Sequence, residues 1–103
     1  MPRDIACDMS VFTDEERLVH QSAYQRIFAS LMTVQECDKG YTFQFPKELW
    51  ADIAAYIPNE ARCCPFFDFT LELRHDGQVW WTLSGTDDVK EFLKQEIVSN
   101  LEV

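Results

Sequence analysis

Glycine and proline are scarce in this chain, at three and four residues, which argues against a linker or a low-complexity segment. Gly40, Gly77 and Gly85 are too scattered to build a glycine-rich phosphate loop. Basic residues are also few. Nine Lys and Arg face 18 Asp and Glu, for a formal charge of -9, and no basic cluster offsets this. Such a surface repels phosphate backbones and anionic lipid, which excludes nucleic-acid and membrane-surface roles. No apolar run reaches the roughly 18 residues that a membrane span needs. The start, Met1 to Cys7, lacks the apolar core of a signal peptide, so a cytoplasmic location is expected. There is no Cys-x-x-Cys, the usual signature of thioredoxin-type exchange. The serines sit in no nucleophile-elbow context. Asp14-Glu15-Glu16 and Asp87-Asp88 read as charges at helix starts rather than acid–base pairs. Hydrolase and nucleotide-enzyme readings are therefore unsupported, and binding is favoured over catalysis.

What the chain does have is a core. It is 47 % apolar, with eight Phe, three Trp and three Tyr in 103 residues. That suits one domain over 1–103, with residues 1–12 as an irregular arm. Thr13-Asp14-Glu15-Glu16 reads as a capping box. Leu18, Tyr24, Ile27, Phe28, Leu31 and Met32 then predict an amphipathic helix over about residues 14–33. Val34 to Cys37 reads as a short strand, and Tyr41, Phe43 and Phe45 mark a half-buried one. Leu49, Trp50, Ile53, Ala54 and Ile57 form the apolar stripe of a second helix. Pro46 suits the first position of that helix, and Pro58 either ends it or starts a new short turn. Phe67 to Leu73 and Val79 to Leu83 alternate about an Asp76-Gly77 turn, a hairpin. Thr86 caps a last helix with Val89, Phe92, Leu93 and Ile97 inward. The order predicts an α+β fold: an antiparallel sheet of three to four strands, with three helices packed mainly on one face.

Reactive chemistry concentrates at Cys63-Cys64, an elbow that Pro65 stiffens and that Phe66 and Phe67 pull inward. With Cys7 and Cys37 there are four cysteines, expected reduced in a cytosolic protein. Arg62 would lower a thiol pKa. A helix C-terminus, an apolar pocket, Glu60 and Asp68 would raise it, so the sum is open. Adjacent thiolates suit a soft ion such as Cu(I), Zn(II), mercury or trivalent arsenic, because coordination itself drives deprotonation. The spacing matches no zinc finger or ribbon. Cys37 is the leading third ligand, ahead of Cys7, His20 and His75, and both histidines read as solvated. The metal set is thus Cys63, Cys64 and Cys37, with a soft metal or metalloid ion as partner. Two other readings stand beside it. The pair can act as a thiol/disulfide redox centre through a vicinal disulfide. It can also be core filler in a structural or interaction module, a homodimer through Trp80, which faces away from Trp81 on its strand.

Arg62-Cys63-Cys64-Pro65-Phe66-Phe67, followed by Phe69-Thr70-Leu71-Glu72-Leu73, Trp81-Thr82-Leu83-Ser84-Gly85 and Val89-Lys90-Glu91-Phe92-Leu93, resembles a family of small bacterial proteins. Its members share an Arg-(x)-Cys-Cys-Pro-Phe elbow, an alternating strand, a hairpin and a Gly-led helix. Asp38-Lys39-Gly40-Tyr41 is similar to the family's Asp-Gly-Tyr turn, with Lys39 inserted. The resemblance covers roughly residues 13–95. It implies a setting of heavy-metal resistance and carries over onto Cys63 and Cys64. The chain departs from the family at Pro58-Asn59, where the family's second helix runs unbroken into the cysteines.

Overall fold

A computed structural model describes residues 6–101 of the chain; of the expected 1–12 arm, residues 1–5 lie outside that span. Four strands, β1 (Thr33–Cys37), β2 (Gly40–Pro46), β3 (Asp68–Leu73) and β4 (Gln78–Ser84), form one antiparallel sheet in the order β1-β2-β4-β3. Helix α1 (Asp14–Phe28) precedes the sheet, α2 (Trp50–Cys63) crosses from β2 to β3, and α3 (Asp87–Glu96) follows β4. The fold is α+β, as expected.

Alternation decides the two faces of the sheet. Tyr41, Phe43 and Phe45 of β2 and Val79, Trp81 and Leu83 of β4 point to one side and are buried, with Phe43 opposite Trp81. Ile27 of α1, Ile53 and Tyr56 of α2, and Val89 and Leu93 of α3 close over them, so all three helices cover that face. The β3–β4 hairpin turns at Gly77, whose φ of 85° suits glycine, and Asp76 accepts the Gln78 amide at 2.9 Å. At the other end of the sheet a Cβ on Gly40 would run into the Leu83 carbonyl.

Two helices differ from their sequence reading. Helix α1 starts at the expected capping box, where Thr13 accepts from the Glu16 amide and Glu16 from the Thr13 amide. It ends at Phe28 rather than near residue 33, because the Met32 amide donates to the Gln44 carbonyl at 2.8 Å and joins the sheet. Leu18 and Met32, expected inward, are exposed. Pro46 closes β2 instead of opening a helix, and a 3-10 turn, Lys47–Leu49, leads into α2. Helix α2 neither ends at Ile57 nor restarts at Pro58. It runs through to Cys63. Pro58 and Ala54, whose carbonyl loses its helical donor, both lie on the exposed face, where water can satisfy that carbonyl. The buried stripe of α2 is therefore Ile53, Tyr56, Glu60 and Cys63 rather than one through Trp50 and Ala54.

Candidate metal centre

Helix α2 sets the site. Tyr56, Glu60 and Cys63 fall four and three residues apart, so one face of the helix presents a phenol, a carboxyl and a thiol in line. Helix α1 adds His20, which lies on the same stripe as Tyr24 and Ile27. The sequence reading placed His20 in solvent. It is buried, at 6 % exposure. Its ring stacks on Tyr56 with centroids 4.3 Å apart and 3° between planes, and Phe12 lies against it at 4.9 Å. These neighbours aim Nε2 at Glu60, 2.9 Å from Oε1. The Tyr56 hydroxyl donates to the same oxygen at 3.1 Å.

Cys63 Sγ completes the cluster. It lies 3.9 Å from His20 Nε2 and 3.7 Å from Glu60 Oε1, and it also donates to the Glu60 carbonyl at 3.6 Å. His20, Glu60 and Cys63 each offer one ligand atom, all within 4.8 Å of one another, and all three are buried. A tetrahedral ion with sulfur at about 2.3 Å and nitrogen or oxygen at about 2.0 Å separates its ligands by roughly 3.3–3.8 Å. The observed spacings depart from that by a few tenths of an ångström. An ion here would replace the proton between His20 and Glu60.

The four cysteines are arranged differently from the sequence expectation. Cys7 and Cys64 are joined by a disulfide, whereas all four thiols were expected reduced. Cys63 and Cys64 form no vicinal disulfide, their sulfurs being 3.5 Å apart. Cys63 is a free thiol. Cys37 sits at the end of β1, where it accepts from Thr42 at 3.9 Å and its carbonyl accepts from Lys90 at 2.8 Å. It does not line the cavity of about 460 Å³ that Cys7, His20, Tyr56, Glu60, Cys63 and Cys64 share. His75 is exposed, as expected.

The N-terminal arm brings Cys7 to the site. The Asp8 amide donates to the Cys63 carbonyl at 2.8 Å, and Arg62 donates to the Val11 carbonyl at 2.8 Å while its guanidinium lies over the Phe12 ring. Arg62 is thereby turned away from the thiols. Burial first, then the Glu60 charge and hydrogen bond, push the Cys63 thiol up to about 12, against smaller lowering by its own backbone and by Arg62. Burial first and Glu60 second hold the Tyr56 hydroxyl protonated as well. Cys63 is thus a protonated thiol at neutral pH until something displaces the proton.

Of the residues around Cys63, His20 and Cys7 stood behind Cys37 as a third ligand in the sequence reading, and Glu60 and Tyr56 were not in the expected set. A signal for three of them was present: His20 is seven residues before Ile27, and Tyr56 and Glu60 lie three and seven after Ile53, all helical intervals. No signal pointed to the bond between Cys7 and Cys64, which are 57 residues apart. Trp80 points to the outer face of the sheet as expected and lies under a long side chain, the Arg74 guanidinium covering it at 4.4 Å and leaving it 8 % exposed. No protein-family model, no curated protein and no solved structure matches this chain. Among the described residues no helix is long and apolar enough to cross a membrane.

Proposed function

We propose that this is a small cytosolic protein that binds a soft metal or metalloid ion through Cys63. His20 Nε2 and Glu60 Oε1 complete the near set, and Cys64 joins when its disulfide is open. The observation that carries the reading is the convergence of a buried thiol, imidazole and carboxyl at spacings near those of a tetrahedral ion. Buried polar groups seldom gather without a use, because each costs desolvation unless it is paired or coordinates an ion. A thiol beside an imidazole favours a thiophilic ion over magnesium or calcium. The formal charge of -9 favours cation capture. The resemblance of the Arg62-to-Phe67 elbow to that of the small bacterial family adds support. Cys37 is not needed for this set.

The test is titration of the reduced protein with Cd(II), read by thiolate charge-transfer absorption and intact mass. The parent is expected to bind one ion per chain with a Kd of about 1 µM or tighter. Cys63→Ser should weaken binding at least about 100-fold and Cys37→Ser should leave it unchanged. Equal binding by Cys63→Ser and the parent would sink the proposal. The redox reading has its own support in the Cys7–Cys64 bond beside a free thiol, and the two uses are compatible.

A further inference from the structure

The Cys7–Cys64 disulfide joins an exposed residue to one beside the ion site. Cys7 is exposed, whereas Cys64 and Cys63 are each 1 % exposed. A thiol arriving from solvent therefore meets one sulfur of the bond, that of Cys7. The other sulfur, on Cys64, is 3.5 Å from the Cys63 thiol. That separation is close to the roughly 3.8 Å between two sulfurs on one tetrahedral ion. While Cys64 is bonded to Cys7 its sulfur is not a thiolate and cannot serve as a full ligand.

We propose that Cys7 is the point of attack for a small-molecule thiol, and that the resulting thiol–disulfide exchange releases Cys64 into the ion site. The inference rests on the ion-binding reading above. In the first step the incoming thiolate bonds to Cys7 Sγ, the Cys7–Cys64 bond breaks, and its electron pair leaves on Cys64, which takes up a proton or an ion. In the second step another thiol attacks the small-molecule sulfur of the mixed disulfide, and Cys7 leaves as a thiol. Two small-molecule thiols become one small-molecule disulfide, and the protein gains two electrons and two protons. The cluster then holds two thiols, an imidazole and a carboxyl where the oxidised form holds one thiol, an imidazole and a carboxyl. Run backwards with a small-molecule disulfide as oxidant, the same steps withdraw Cys64 and weaken the site.

The test uses the full chain carrying Cys37→Ser, so that no distant thiol confuses the count. The oxidised protein is treated with mercaptoethanol, quenched in acid and mapped by peptide mass. The expected intermediate carries one mercaptoethanol, on Cys7. An adduct on Cys64 or Cys63, or a disulfide that resists the thiol until denaturant is added, overturns the proposal. Cd(II) affinity is measured alongside for the oxidised form, the reduced form and Cys7→Ser kept anaerobic without reductant. Cys7 is exposed, so that substitution spares the core. Reduced protein and Cys7→Ser are expected to bind alike, at least about ten-fold tighter than the oxidised form. Equal affinity in the oxidised and reduced forms overturns the gating and leaves the ion-binding reading standing. Absence of binding in every form overturns that reading as well.

Discussion

Cys63 is the residue on which the proposed chemistry turns, and Glu60 lies one helical turn away. Burial first, and the neighbouring Glu60 charge second, together raise the Cys63 pKa to about 12. Removing that charge while keeping the shape isolates the second effect. Glu60→Gln should speed alkylation of native Cys63 by iodoacetamide at pH 8, measured by quenched mass spectrometry. A rate equal to the parent's would show that Glu60 does not act on the thiol. The same raised pKa fixes the sign of the pH dependence of ion binding. Near neutral pH Cys63 carries its proton, and coordination must expel it. Affinity should therefore rise with pH, by about ten-fold per unit for each thiol proton displaced. An affinity flat between pH 6 and 8 would mean that no thiol ligates. At this scale the sequence showed the thiols but not their state. The orientation of Arg62, toward the Val11 carbonyl and the Phe12 ring, decides that it hardly lowers the Cys63 pKa, and adjacency in sequence carries no orientation.

Helix α2 is the element that makes the site, and its continuity through Pro58 is what places Glu60 and Cys63 on the stripe of Tyr56. A proline inside a helix removes one hydrogen bond and crowds the preceding turn. Here the lost donor faces solvent, so the helix survives with a defect rather than a break. Pro58→Ala should restore the bond to the Ala54 carbonyl and stabilise the protein by about 1–3 kcal/mol, seen as a higher Tm in thermal melts. An unchanged or lower Tm would mean that α2 is not continuous there. The strands were legible from their alternation, because one buried face forces a period of two on Tyr41 to Phe45 and Val79 to Leu83. The helix ends were not. Helix α1 stops where the Met32 amide finds Gln44 on the sheet, and that competition depends on a tertiary partner. His20 was misplaced for a related reason: a histidine on a buried stripe looks like a surface residue until the aromatic rings of Phe12 and Tyr56 on either side are known.

Across the whole molecule, three separate stretches of the chain meet around one cavity: Cys7 from the arm, His20 from α1, and Glu60, Cys63 and Cys64 from α2 and its cap. The fold class and the closeness of Cys63 and Cys64 were readable because they depend on local pattern. The other residues around Cys63 were not, because their approach depends on the arm returning to α2 and on α1 packing against it. The acidic balance suits cation capture but does not select the ion. Selection comes from the donor atoms, and the donor atoms are therefore the most direct thing to measure. X-ray absorption at the zinc K-edge of reduced, zinc-loaded protein reads them without a crystal. Two sulfurs at about 2.3 Å and two nitrogen or oxygen atoms at about 2.0 Å are expected, with one sulfur lost in Cys63→Ser. A shell of nitrogen and oxygen alone, or a spectrum unchanged by Cys63→Ser, would contradict the ion-binding reading.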